Sequence, residues 1–221
     1  MKKKITVIAL VACLLTILVG TSLAYFMDTD EATNTFTVGS VEIEQKEVFD
    51  TENAQLLPVV NTENVKADVN FREKIVAVEN TGKNSAYVQT LVAVPKPLIE
   101  AGILHIYDTE GLANSWVKEE AVAEFTKDSI VYTVIRYRYM PILEKEKTTT
   151  SAIQGVYIDS ATDLDVVNEN TAYFVMGGSQ VTGFNAMGEL NVYVASQAVQ
   201  ADGFADADAA LSAAFTTHPW A

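Results

Sequence analysis

Alternating apolar and polar residues recur along the chain from residue 35 onward. Residues 74–79 read K-I-V-A-V-E, and the same period of two, rich in β-branched and aromatic residues, returns in five further segments. Such a period is typical of strands with one buried face. Many short strands with little helix between them predict an all-β fold, a sandwich or a barrel. The other predicted strand segments are residues 35–44, 86–94, 130–139, 152–158 and 190–200.

Interruptions of this pattern predict the remaining elements. In residues 35–44, Gly39 and Ser40 shift the alternation by one residue, which indicates a β-bulge. The N-T-G-K-N-S run at residues 80–85 predicts a hairpin turn or short loop, and the polar residues 50–70 and 159–170 predict longer loops. Helices are predicted over residues 115–125 and 206–215. Five apolar strand positions are expected to be buried: Val76, Val78, Val88, Leu91 and Val134.

The amino terminus has the layout of an export signal. Residues 1–4 are basic, residues 5–20 are apolar, and Ser22 and Ala24 are small residues at the positions that a signal peptidase reads. Cleavage is therefore predicted between Ala24 and Tyr25. A retained membrane anchor would need about 20 apolar residues, and a lipoprotein would use Cys13, which lies inside the apolar run rather than at its end.

Removal of this leader makes the chain more acidic. The chain has 15 basic and 29 acidic residues, and loss of Lys2, Lys3 and Lys4 leaves 12 against 29, a net charge of −17. This balance argues against nucleic acid as a partner and against an anionic membrane after cleavage. Cys13 is the only cysteine, so a cleaved chain must be stabilised by its core or by assembly rather than by disulfides.

No catalytic or cofactor-binding signature is present in the sequence. His105 and His218 lie too far apart for an H-E-x-x-H zinc helix, and there is no thiol nucleophile, G-x-S-x-G elbow or P-loop. We therefore predict no enzyme, no cofactor and no metal ligand. The acidic run at residues 28–31 could offer oxygen ligands to calcium, although a solvated turn is the simpler interpretation because EF-hand spacing is absent. Residues 130–139 alternate tyrosine with arginine, which favours a core face and a solvent face over a ligand platform.

Four blocks of sequence resemble one family of exported Gram-positive proteins, the TasA and camelysin-like family. The first block, A-Y-F-M-D-T-D-E-A-T-N-T-F-T-V-G-S-V-E-I at residues 24–43, and the last, A-S-Q-A-V-Q-A-D-G-F-A-D-A-D-A-A-L at residues 195–211, are the most specific. The other two are N-T-G-K-N-S-A-Y-V-Q-T-L-V-A-V-P at residues 80–95 and Y-R-Y-M-P-I-L-E-K-E-K-T-T-T at residues 137–150.

The resemblance implies a fold, a location and a processing enzyme. It implies a jelly-roll-like β-sandwich with short peripheral helices, one of them near the carboxyl terminus, over residues 25–221. It also implies a leader cut by a SipW-type signal peptidase and, as in the best-known members, a secreted fibre of the biofilm matrix or cell surface. The family carries a metallopeptidase label from camelysin, and the zinc ligands that a peptidase needs are not visible in this sequence.

Export and family together suggest how such a fibre assembles. The segment freed by the peptidase, residues 25–32, is expected to complete the sheet of the next subunit, so that copies join head to tail. A further partner would be an anchoring or minor fibre protein. Alternatives are that residues 25–32 are disordered or form an intramolecular first strand, and that the protein is a secreted metallopeptidase or a monomeric surface binding module. The residues assigned to the assembly segment are Tyr25, Phe26, Met27, Asp28, Thr29 and Asp30.

Overall fold

Twelve strands and three short α-helices lie in the part of the chain that the structure describes. The structure is a computed structural model and describes residues 27–29, 41–49 and 56–220. A single turn of 3-10 helix lies at Val65–Ala67. The strands are β1 (Met27–Thr29), β2 (Ile43–Phe49), β3 (Arg72–Asn80), β4 (Ala86–Pro95), β5 (Leu104–Tyr107), β6 (Trp116–Lys127), β7 (Ile130–Leu143), β8 (Ile153–Ile158), β9 (Asp163–Asn168), β10 (Thr171–Met176), β11 (Ser179–Gln180) and β12 (Tyr193–Gln200). The helices are α1 (Lys96–Glu100), α2 (Thr109–Ala113) and α3 (Ala207–Ala214).

The strands form three antiparallel sheets. The first sheet has the order β1-β12-β4-β7-β6, the second β2-β3-β8-β5, and a small third sheet β11-β10-β9. One core joins the first two sheets, with Val88 and Tyr137 from the first sheet and Val78 and Ile153 from the second. The predicted all-β sandwich is confirmed.

The central strand of the first sheet is buried along its whole length. All ten residues of β4 are buried, because one face of the strand meets the second sheet and the other is covered by α3 and an aromatic cluster. The five apolar positions predicted to be buried are each at most 3% exposed. Each of the strands predicted at residues 74–79, 86–94, 130–139, 152–158 and 190–200 is present, with ends that shift by a few residues.

The predicted helix over residues 115–125 is wrong. Those residues lie in β6, which pairs with β7 over most of its length. Glutamate and alanine have a high helix propensity. The pairing of β6 with the long neighbouring strand β7 outweighs this local preference. A register shift between Glu119 and Ala123, with Ala121 at a φ of 50°, breaks the alternation that would have identified a strand.

Two other predictions need correction. The loop predicted at residues 159–170 contains β9, an edge strand whose six residues are all exposed. The segment is polar because this strand does not lie over the hydrophobic core. The arginine face of β7 is not a solvent face, because the Arg138 side chain is only 12% exposed and contacts Asp208 of α3. Tyr137 lies in the core between the sheets, whereas Tyr132 lies on the outer face with the arginines.

The predicted carboxy-terminal helix is confirmed as α3. Asp206 caps it by accepting a hydrogen bond from the Ala209 backbone N–H at 2.8 Å. The predicted turn at residues 80–85 is a short connection that carries the chain from the second sheet to the first. The predicted leader, the bulge at Gly39 and Ser40, and the strand positions before residue 41 lie outside the described residues.

Candidate assembly site

β1 lies on the edge of the first sheet. It pairs antiparallel with β12, with Met27 opposite Val199, Asp28 opposite Ala198 and Thr29 opposite Gln197. β12 has eight residues, and the three described residues of β1 lie opposite three of them. A strand in this position pairs through the backbone N–H and C=O groups of β12.

The strand that forms this edge is held firmly from the other side. β12 pairs with β4 through all of its residues. Gln89 donates a hydrogen bond to Gln197 at 2.7 Å, and the hydroxyls of Thr90 and Ser196 are 3.0 Å apart. These contacts are buried, so the position of the edge is fixed before any further strand binds.

The outer face of the first sheet is also covered. Tyr193 at the start of β12 packs among the rings of Tyr132, Phe125 and Trp220, with ring centroids 5.2 to 6.4 Å apart. Lys127 Nζ lies 4.5 Å from the centroid of the Tyr193 ring. Burial, followed by the neighbouring Tyr193, raises the pKa of Tyr132 to about 12. The hydroxyl of Tyr132 is therefore neutral at physiological pH, as a packed aromatic cluster requires.

An apolar cleft opens beside the same edge. Its volume is about 920 Å³, and it lies between the end of β2, the hairpin of β9 and β10, and the residues before β12. We call this cavity the apolar cleft. Phe49, Leu57, Leu164 and Met187 are more than 40% exposed at its wall. Further apolar lining comes from Leu56, Phe174, Leu190 and Val192, and charged residues of both signs also line the cleft: Arg72, Lys74, Asp163 and Glu189.

A buried polar group of three residues lies away from this edge. The Tyr137 hydroxyl donates to Asp108 Oδ2 at 2.7 Å, and Lys118 Nζ lies 2.9 Å from the same oxygen. Burial, then the charge of Asp108, raises the pKa of Tyr137. Partial burial opposes the charge on Lys118, but hydrogen bonds to Asp108 and Glu120 outweigh it and raise the lysine pKa. A protonated lysine and a neutral tyrosine make this group a structural link between β7, β6 and the start of α2.

Neither histidine belongs to a metal site that the described residues could form. His105 Nε2 lies 3.3 Å from Asp159 Oδ2 and 2.9 Å from the Gly102 carbonyl, and its ring stacks on Tyr157. His218 packs against Phe125 and Trp220. Across residues 27–29, 41–49 and 56–220, no cluster of three or more His, Cys, Asp or Glu side chains could hold a metal ion.

The predicted site residues fall into two groups. The structure places the backbone of Met27, Asp28 and Thr29 on β12 of the same chain, which agrees with the alternative of an intramolecular first strand. Ala24, Tyr25, Phe26 and Asp30 lie outside the described residues.

The sequence did not reveal the receiving edge or the cleft. Residues 190–200 were expected to form a strand, but alternation does not show which strand of a sheet lies at its edge. The lining of the cleft comes from seven separate parts of the chain, so it has no local signal. No helix in the portion of the chain that the structure describes is long and apolar enough to cross a bilayer.

Comparison with known proteins gives one match. The family profile described as camelysin metallo-endopeptidase matches residues 1–83, a region that includes β1, β2 and β3. No curated protein and no solved structure matched the chain. The amino-terminal part of the chain, residues 1–83, is therefore similar to the camelysin family.

Proposed function

We propose that this protein is an exported structural protein, the subunit of an extracellular or cell-surface fibre of the biofilm-matrix type. After the leader is cut between Ala24 and Tyr25, residues 25–32 of one copy pair with β12 of the next. The segment then takes the place that β1 occupies within a single chain. Assembly is thus an exchange of one edge strand between identical copies.

The observation that carries this proposal is the pairing of β1 with β12 at the end of the first sheet. The three described residues of β1 define a register along β12, which has eight residues. If that register continued in both directions, Phe26 would lie opposite Gln200 and Thr33 opposite Tyr193. A fully paired segment would therefore match the predicted assembly segment to within one residue, and backbone hydrogen bonds along β12 would hold it.

Such an exchange is head-to-tail and does not close on itself. The amino-terminal segment and the β12 edge are different surfaces, so a growing fibre keeps one free donor at one end and one free acceptor at the other. Cleavage by a SipW-type signal peptidase would release the donor from the membrane and so start assembly outside the cell. An anchoring or minor fibre protein would occupy the acceptor or donor left free at the end of a fibre.

Electron microscopy of two purified forms tests this function. The form that begins at Tyr25 is expected to make filaments, and a form that begins at Thr33 is expected to remain a folded monomer, because it lacks the donor segment. Filaments from both forms would refute the exchange of residues 25–32. A folded monomer from both would instead support the monomeric surface binding module.

A secreted metallopeptidase is the second candidate, and the description of the matching family favours it. A peptidase of this kind would contain about one equivalent of zinc and would digest casein. Metal analysis and a casein assay on the form that begins at Tyr25, with and without a chelator, separate the two functions. Chelator-sensitive digestion would support the peptidase, whereas metal-free filaments without digestion would support the fibre.

A further inference from the structure

The apolar cleft lies at one particular end of the receiving edge. Ser196 of β12 donates a hydrogen bond to Gln45 of β2 at 2.6 Å, so these two residues lie side by side. Four residues after Gln45 comes Phe49, and four residues before Ser196 comes Val192, and both line the apolar cleft. β2 and β12 therefore run in opposite directions, and the cleft lies where β2 ends and β12 begins.

The chain enters β2 at the other end of the sandwich. The Glu42 carbonyl accepts hydrogen bonds from the backbone N–H groups of Thr81 and Gly82. Asn84 of the same connection donates to Gln200 at 3.1 Å. Val41 is thus level with the last residue of β12, and eight residues of mostly extended chain separate it from Phe49, a distance of about 26 Å.

This distance decides which copy of the chain can fill the apolar cleft. Residues 34–38 read N-T-F-T-V, with Phe36 and Val38 at alternating positions. Five residues separate Phe36 from Val41, and five residues span at most about 18 Å. Phe36 of a given chain therefore falls short of that chain's own cleft.

A second copy has no such restriction. A donor segment that pairs along β12 in the register of β1 leaves the strand beside Tyr193, and its next residues emerge beside Leu190 and Val192, which line the cleft. Three residues beyond Thr33, about 10 Å of chain, bring Phe36 to this point. The exposed apolar wall of the cleft, on a strongly acidic chain, is the kind of surface that a partner covers.

We infer that the apolar cleft is the docking site for residues 34–38 of a second copy of this chain, with Phe36 as the side chain that enters it. The inference rests on the proposed exchange of residues 25–32 and adds a second contact to the same junction. Phe49, Leu164 and Leu190 would surround the ring of Phe36, while the donor strand supplies backbone pairing along β12. Each subunit would then hold its neighbour both by a strand and by a side-chain anchor.

Disulfide trapping between separate copies tests the docking. The chains used begin at Tyr25 and so lack Cys13, the only natural cysteine, so that each variant has a single cysteine. A Thr37→Cys chain, which keeps Phe36, is mixed with a Met187→Cys chain and oxidised during assembly. The matched control pair is Thr37→Cys with Lys83→Cys, because Lys83 is exposed at the opposite end of the sandwich. A third pair, Tyr25→Cys with Gln200→Cys, reports the strand exchange alone.

The outcomes separate this inference from the proposed function. We expect the 37–187 dimer to exceed the 37–83 dimer at least tenfold, and the 25–200 dimer to form as well. A 25–200 dimer without a 37–187 dimer would overturn the docking and leave the strand exchange in place. Failure of both dimers would overturn both.

A second pair of variants measures the anchor itself. Filaments of Phe36→Leu are expected to dissociate at nearly the urea concentration of the unmodified protein, and those of Phe36→Ala at a clearly lower one, because truncation of the ring leaves the apolar wall of the cleft uncovered. Equal dissociation of the unmodified and Phe36→Ala filaments would contradict the docking. A small apolar dye gives a further test. If the dye binds to filaments of the unmodified protein, and Met187→Asp abolishes that binding, the cleft is open in the filaments and the docking is overturned.

Discussion

Ser196 on β12 and Gln45 on β2 are joined by a hydrogen bond of 2.6 Å that ties the two sheets together beside the receiving edge. The same hydroxyl lies 3.0 Å from Thr90 of β4. Ser196→Ala removes both contacts and leaves their partners without this neighbour, so it is expected to lower the free energy of unfolding by roughly 1 to 3 kcal/mol. Urea unfolding measures this loss.

A second serine provides the control for Ser196. Ser85 donates to Glu144 at 2.8 Å on the exposed surface, where water replaces the lost bond. Ser85→Ala is expected to change the free energy of unfolding by less than about 0.5 kcal/mol. Equal effects of the two substitutions would mean that the bond between the sheets does not stabilise this edge.

Truncation of a core leucine tests the packing of the first sheet. Leu91 is 3% exposed at the centre of β4, so Leu91→Ala should cost roughly 2 to 4 kcal/mol through lost burial and a residual cavity. The matched control is Leu112→Ala on α2, where the leucine is 40% exposed and the cost should be under about 1 kcal/mol. Thermal or urea unfolding of both variants measures the two losses in the free energy of unfolding. Equal losses would contradict the burial of Leu91 in the core.

The strands of the core were predictable because one physical requirement sets their pattern. Val76 and Val78 lie two residues apart on β3 and are both buried, with the half-buried Ala77 between them, since one face of the strand must be buried, and this signal is local. β6 shows where local reasoning fails. Its glutamates and alanines favour a helix, and only its pairing with the next strand, β7, makes it a strand, with a register shift between Glu119 and Ala123 that breaks the alternation.

The candidate site was predictable only on the donor side. The segment around Met27 stands out in sequence because it directly follows the predicted leader and resembles the family. Its position on β12 depends on residues about 170 positions away, and no period in the sequence encodes which strand ends at a sheet edge. The apolar cleft likewise needs Phe49, Leu164 and Leu190 to meet from separate elements.

Alkaline pH should destabilise the fold through Tyr132. Burial and the neighbouring Tyr193 raise its pKa to about 12, whereas a tyrosine in an unfolded chain titrates near pH 10. Because folding favours the neutral hydroxyl, its contribution is complete below about pH 10 and is lost as pH rises toward 12.

The substitution Tyr132→Phe keeps the ring and removes the titrating group. Between pH 9 and pH 11 the variant is therefore expected to lose less stability than the unmodified protein. Urea midpoints at the two pH values measure the difference. The same loss in both proteins would show that ionisation of Tyr132 does not contribute to alkaline unfolding.

The Phe26→Asp variant tests directly whether residues 25–32 of one copy complete the sheet of the next. Phe26 is the largest wholly apolar side chain in the segment, and its burial at each junction would contribute roughly 2 to 3 kcal/mol, which a buried carboxylate would reverse. Val60→Asp adds the same charge at a position that is 78% exposed and serves as the control. In electron microscopy and sedimentation, with circular dichroism to verify folding, we predict filaments from the unmodified protein and from Val60→Asp, and a folded monomer from Phe26→Asp. Filaments of unchanged length and stability from Phe26→Asp would contradict the account.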